Sequence, residues 1–214
     1  MLIVAPNEAE AITPVIEKAY DAGIPVILVD RKINSKKYTA YVGADNYEIG
    51  RKAGEYIADR LGGKGRVIEI TGLRGSTPAV ERHRGMMEAL KAVPGVQVVA
   101  SAEAGWFRQK AGEVMDTLLD AHPQVNLVFA QNDRMAIGAY EKARQKNRAG
   151  QIAFVGVDAV AGGVESVAEG KLDATFIYPT GGDKVIQVAW LYYVATLSTR
   201  NITSTALVNL PMPV

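Results

Sequence analysis

Four times in this chain an apolar run stops abruptly at hydrogen-bonding side chains: Pro25 to Val29 before Asp30-Arg31, Val67 to Ile70 before Thr71-Gly72, Leu127 to Ala130 before Gln131-Asn132-Asp133, and Phe154 to Val157 before Asp158. Near-continuous Val/Ile/Leu-rich runs mark parallel strands buried on both faces. Polar residues that end such strands fall at the carboxyl edge of the sheet, where open α/β sheets bind their ligands. The set holds carboxylates, a guanidinium and amides, but no nucleophile paired with a base and no cluster of metal ligands. It reads as a surface that holds a polar molecule without transforming it.

Between these runs the apolar spacing switches to a helical period, so strands and helices alternate as in βαβ units, with helices on both faces of parallel sheets. The pattern predicts strands at 2–5, 25–29, 40–43, 66–71, 96–101, 126–130, 152–157 and 173–178. Helices are expected at 8–22, 46–61, 77–92, 106–121, 133–146, 161–169 and 181–198, followed by an extended tail. Local punctuation agrees: Asn7 with Glu10 has the spacing of a capping box. Gly23 before Pro25 reads as a helix stop, Asn46 as the cap of the following helix, and Ala121-His122-Pro123 as the end of another. The fold class is therefore α/β, doubly wound and Rossmann-like.

Composition narrows the function classes. The chain of 214 residues is 48% hydrophobic and 22% charged, ordinary values for a globular protein. No stretch approaches the roughly 18 uninterrupted apolar residues of a membrane-spanning helix. The formal net charge is +1, with Lys and Arg dispersed among acids, which gives no electrostatic case for nucleic acid. With no cysteine, thiolate catalysis, disulfides and Cys-based zinc sites are excluded. The opening Met1-Leu2-Ile3-Val4-Ala5-Pro6 has no basic region or cleavage site and reads as the inside of a buried strand. Sites for phosphate cradling, serine hydrolysis and zinc hydrolysis find no match: Gly62-Gly63-Lys64-Gly65 lacks the spacing and the hydroxyl of a P-loop, and His83 and His122 are isolated.

Each candidate residue has an ordinary alternative. Asp30 and Arg31 accept and donate several directed hydrogen bonds at a sheet edge, or else form a surface ion pair. Arg82 lies on the first turns of a helix, where the macrodipole disfavours a cation, so it calls for a partner outside its helix unless Glu81 or an ordinary solvated face accounts for it. One of Asn132 and Asp133 must cap the helix that follows, leaving the other to face a crevice. Asp158 precedes small residues that leave room for a ligand, or is a turn aspartate. Trp106, at the start of a helix beside Gly105 and Phe107, offers a flat ring to a sugar face, although most aromatic residues belong to cores. Trp190, Tyr192 and Tyr193 read as helix packing.

The tracts Gly23 to Arg31, Val42 to Gly50, Thr71-Gly72 through Glu81-Arg82, Val128 to Asp133 and Val155 to Asp158 together resemble the type I periplasmic sugar-binding proteins, close in pattern to ribose-binding protein, whose hinged domain also occurs in LacI-type repressors. The resemblance implies two lobes joined by a hinge and closing around a monosaccharide: a partial first lobe of 1–44 plus 179–206 and a second of 45–178 plus 207–214. It carries the sugar-hydroxyl pair onto Asp30 and Arg31, the arginine of the second lobe onto Arg82, polar contacts onto Asn132 and Asp158, and the stacking aromatic onto Trp106. Where ribose binders have Gln at the hinge this chain has Tyr178, a departure that points away from ribose itself. The family opens with two βα units before the strand that here begins at Met1, so the resemblance also implies an N-terminally truncated first lobe. Expected partners are the monosaccharide and a membrane permease, a sensor kinase or a fused domain, with no cofactor, metal or nucleic acid and no enzymatic role. The expected location is the periplasm, with a signal or anchor upstream. Ala5 to Ala9 and Asn132 to Ala136 are similar to the sensor domains of Bacteroidetes hybrid two-component kinases, so sensing stands beside ABC-type transport. The alternative, the effector domain of a LacI-type repressor, requires an upstream helix-turn-helix.

Overall fold

The computed structural model describes residues 1–198 and 206–210. In chain order it contains β1 (Leu2–Val4), α1 (Ala9–Asp21), β2 (Val26–Val29), β3 (Ala40–Ala44), α2 (Asn46–Arg60), β4 (Gly65–Thr71), α3 (Thr77–Lys91), β5 (Val96–Glu103), α4 (Arg108–Ala121), β6 (Leu127–Ala130), α5 (Asp133–Gln145), β7 (Ala153–Asp158), α6 (Ala161–Ala168), β8 (Ala174–Ile177), α7 (Gly182–Ser198) and β9 (Ala206–Leu210). All strand pairs are parallel, as the unbroken apolar runs require. Elements fall within a residue or two of the expected bounds, the usual uncertainty of helix and strand ends.

The chain divides into two units, one of Met1–Asp45, Gly75–Thr77 and the segment after Tyr178, the other of Asn46–Arg74 with Pro78–Tyr178. The first unit holds a sheet of order β1-β2-β3-β9. Alternation along β2 sends Val26 and Leu28 to one face, where they pack with Ile16 of α1 and with Tyr41. Ile27 points to the opposite face, against Ala40, Val42 and Val185 of α7. Two expectations change here. Strand β9 pairs with β3, Ala40 beside Ala206, so 207–210 joins the first unit's sheet instead of the second lobe, because β3 offers an edge that β9 completes; 211–214 lie outside the described residues. On α7, Val185, Val188 and Ala189 take the core face, leaving Trp190 and Tyr193 63% and 52% exposed rather than packed.

The second unit holds a sheet of order β5-β4-β6-β7-β8. Its first strand, β4, therefore has the second strand on one side and the third on the other, which makes the gap between β4 and β6 a topological switch point. Ile68, Ile70, Val128 and Ala130 face α4 and α5 and form the main core with Met115, Leu119, Met135 and Phe154. Alternation turns Val67, Glu69 and Phe129 to the α3 side. Helices α2 and α3 approach closely enough that a Cβ on Gly85 would collide with the Tyr47 carbonyl, and one on Gly50 with the Arg82 carbonyl.

One expected cap is not formed. Helix α1 begins after Glu8 with no side-chain cap, because the Asn7 side chain accepts from Arg31 Nη1 at 2.9 Å. The Asn46 Oδ1 at the start of α2 accepts from Arg82 Nε at 2.9 Å. The stop at Gly23 stands: its φ is 78°, and the Ile24 amide reaches back to the Ala19 carbonyl.

The close α2–α3 approach inverts a helix-propensity expectation. Gly→Ala inside a helix ordinarily adds about 1 kcal/mol, and Gly162→Ala in α6, where a Cβ meets nothing within 4 Å, should follow that rule. Gly85→Ala should instead destabilise by about 1–3 kcal/mol through overpacking, a difference in sign that urea unfolding of the two variants resolves.

Candidate functional site

At the carboxyl end of the second unit's switch point the Gly72 amide, just after β4, donates to Gln131 Oε1, just after β6, at 3.0 Å. This bond ties the two strand ends together where the strand order reverses. Around it stand five of the seven residues expected to bind a ligand: Arg82, Trp106, Asn132, Asp158 and Tyr178. The other two, Asp30 and Arg31, stand at the end of β2 in the first unit.

Arg82 is the centre of the second unit's set. Only 3% of it is exposed, and a guanidinium keeps its charge at any physiological pH, so burial must be compensated by its surroundings. Its Nε donates to Asn46, its Nη1 donates to the Gln131 backbone carbonyl, and the Asp158 carboxylate lies 4.0 Å from Nη1. The Tyr178 and Trp106 ring centroids are 4.7 Å and 5.7 Å from its Cζ, within cation–π reach. The sequence placed a cation awkwardly on a first helical turn; its answer is a cage drawn from five other elements and loops.

Trp106 does not begin the helix as expected. It sits two residues before α4 with φ 76°, and its ring lies where a Cβ on residue 72 would be, so Gly72 makes the space it occupies. The ring also packs against the main core of the unit, while the neighbouring Phe107 is 68% exposed. Asp158 has φ 118° and Ala159 φ 51°, and in the first unit Asp30 has φ 66°. Three of the expected ligand residues thus occupy the left-handed half of conformational space. That conformation costs of order 1–3 kcal/mol per residue and persists only where surrounding structure enforces it, typically at functional sites.

The enforcing group at Asp158 is Asp133. Asn132 is the cap of α5, its Oδ1 accepting from the Met135 amide at 2.8 Å, and its Nδ2 points to the Trp106 carbonyl at 3.4 Å. Asp133, the residue left over from capping, does not face a crevice. It is fully buried, accepts from Thr175 Oγ1 at 2.5 Å and from the Val160 amide at 3.1 Å, and so holds the turn that follows Asp158. Thr175 Oγ1 in turn accepts from the Ala159 amide. Burial pushes the Asp133 carboxyl above its ordinary range, against the opposing pull of these hydrogen bonds.

In the first unit Arg31 Nε lies 3.5 Å from Asp30, and Arg31 Nη1 also donates to the carbonyl and side chain of Asn7. Sequence reasoning did not pick out Asn46, Gln131, Glu69 or Gly72 for their roles around Arg82. A legible signal existed for Glu69, a carboxylate inside an otherwise apolar interior strand.

A permanent donor, a carboxylate acceptor and aromatic faces gathered at one sheet edge suit a neutral polyhydroxylated ring: hydroxyls take both donors and acceptors, and ring C–H groups lie against aromatic faces. Among the described residues no group of three or more His, Asp or Glu is placed to hold a metal ion.

Comparison with known proteins gives a consistent result. Residues 1–196 match the family described as the periplasmic binding protein domain. The ribose import binding protein of Escherichia coli (strain K12) is 38% identical over 175 residues, covering 82% of this chain and 58% of its own length, so the chain spans little more than half of such curated relatives. Among solved structures, the fructose-binding periplasmic domain of a hybrid two-component system superposes with a TM-score of 0.91 at 49% identity, over 100% of this chain and 70% of that one. The Caulobacter myo-inositol binding protein bound to myo-inositol gives a TM-score of 0.87 at 26% identity, over 97% and 72%.

The fit between Gly72 and Trp106 is testable directly. Gly72→Ala should displace the indole, shift tryptophan emission and cost about 1–3 kcal/mol of stability; an unchanged emission spectrum in a folded variant would show that the ring does not depend on this space.

Proposed function

The chain belongs to the periplasmic binding protein domain family, and from that premise we propose that it binds a monosaccharide outside the cytoplasm, with Arg82 and Asp158 holding hydroxyls and Trp106 meeting one face of the ring. The observation that carries this reading is the strained backbone at Trp106 and Asp158 on either side of a buried arginine at the switch point. The two left-handed residues present an indole and a carboxylate toward the same guanidinium. Asn132 and Tyr178 shape the surroundings of that guanidinium, and Asp30 with Arg31 is the pair at the end of β2 proposed to hold sugar hydroxyls.

Relatives divide between import binding proteins and a periplasmic domain of a two-component system. The 49% identity to the latter over the whole chain, against 38% over 82% for the ribose import protein, favours sensing over transport. In this reading the chain is a recognition module with no reaction of its own, and its partner is a signalling domain. Tyr178 in place of the glutamine of ribose binders favours a sugar other than ribose, and fructose leads the candidates because a fructose-binding domain is so similar.

Thermal unfolding against a panel of pentoses and hexoses that includes fructose should give a rise in midpoint with one sugar through ligand linkage. A cooperative transition unmoved by every sugar would overturn the reading. With the responding sugar, Arg82→Ala and Asp30→Ala should each weaken binding by about 2–5 kcal/mol, because each leaves polar partners unsatisfied in a desolvated site. Calorimetric titration measures both, and unchanged affinity would remove the residue from the site.

A further inference from the structure

Behind Arg82 the polar contacts do not end at its first partners. Gln131 is fully buried. Its Nε2 donates to Glu69 Oε1 at 2.9 Å and to the Ala79 carbonyl at 3.1 Å, its Oε1 accepts from the Gly72 amide, and its backbone carbonyl accepts from Arg82. One residue thus fixes β4, β6 and α3 to one another while setting the position of the arginine.

Glu69 continues the chain of contacts. It is a fully buried carboxylate in the middle of β4, where alternation would be satisfied by valine or isoleucine. Its Oε2 meets Ser101 Oγ of β5 at 2.8 Å and His83 Nδ1 of α3 at 2.7 Å. The His83 side chain is 46% exposed and borders a cavity of about 380 Å³ that is also lined by Thr71, Arg74, Val80 and Ser101. Three successive contacts therefore connect solvent at His83 with the Arg82 guanidinium: His83 to Glu69, Glu69 to Gln131, and Gln131 to Arg82 through its carbonyl, with Ser101 bracing the carboxylate. A buried carboxylate is costly unless its hydrogen bonds and counter-charge are in place, so the state of His83 decides how well Glu69, and with it Gln131, is held.

We propose that Gln131 is a positioning residue for Arg82 and that Glu69 and His83 clamp it as a proton-responsive pair, so that sugar affinity follows the protonation of a histidine remote from the sugar. The inference rests on the reading of Arg82 as a sugar ligand. The charged groups around His83 are Glu69 of β4, Arg74 of the following loop and, 3.8 Å from Arg74, Glu103 of β5, with Glu81 and Arg84 beside it on α3. The hydrogen bond with Glu69, partly opposed by burial, raises the His83 pKa above its ordinary value. The sign follows: a raised histidine pKa contributes stability that is fully present below the unfolded value of about 6.5 and is lost as pH rises through the folded value. Charged His83 pairs with Glu69, which holds Gln131 against Arg82, so in this proposal tight sugar binding belongs to the acid side of that window.

The test is calorimetric titration of the full chain with fructose from about pH 6 to about pH 9, alongside His83→Gln, which retains a donor for Glu69 but does not titrate, and Gln131→Ala. Wild-type affinity should fall about fivefold or more across the range, His83→Gln should bind with a flat profile, and Gln131→Ala should bind about tenfold more weakly at every pH. A ligand-free readout accompanies it: emission of Trp106, whose ring lies beside the Arg82 guanidinium, recorded in a Trp190→Phe background. That emission should titrate with the histidine and lose its titration in His83→Gln. Affinity that is measurable but independent of pH in the wild type overturns the inference, as does an emission titration that survives His83→Gln. If Gln131→Ala fails to fold, the two profiles of His83→Gln still decide. If no fructose binds while emission titrates through His83, the coupling stands and it is the assignment of fructose that fails.

Discussion

Burial of the Arg82 guanidinium is the constraint around which the second unit is arranged. A charge that cannot be discharged must be solvated by protein, and here the solvating groups are an amide oxygen, a backbone carbonyl, a carboxylate at 4.0 Å and two aromatic faces. Each partner has its own support. Gln131 is anchored by Glu69 and Gly72, Asp158 by the turn that Asp133 and Thr175 hold, and Trp106 by the space at Gly72. The buried polar groups form one connected system in which each member depends on its neighbours, the condition under which such networks specify a unique arrangement.

Much of this was legible in the sequence because the parallel sheet writes itself as apolar runs, and the ends of the runs mark its carboxyl edge. Arg82 was found by its electrostatic misfit on a helix, and Asp158 by its place after β7. What could not be read was pairing at a distance. The choice between Asn132 and Asp133 as cap was left open, and resolved when Gly156 and Gly163 left room for the Asp133 carboxylate alone. The apparent cap at Asn7 is given up to Arg31, and Asn46 is drawn to Arg82, long-range partners that local propensity does not weigh. Strand β9 escaped because an extended tail carries no signal of which sheet it joins.

Glu69 shows the same limit from the other side. Within Val67 to Ile70 an apolar reading passes over it. Its alternation toward α3 delivers it to Gln131, Ser101 and His83, three residues far apart in sequence and on three different elements. A carboxylate in an interior strand is thus a stronger signal than its hydropathy cost implies, since it must have partners to be there.

The two units differ in how the chain composes them. The second is drawn almost entirely from one continuous stretch, whereas the first takes residues from both ends, and its register sets Ala206 beside Ala40. Closing that pairing spans most of the polypeptide, a large entropic loop, while nearly all the strand neighbours of the second unit are near in sequence. During synthesis the arginine cage and its buried network can therefore assemble before the first sheet receives its last strand.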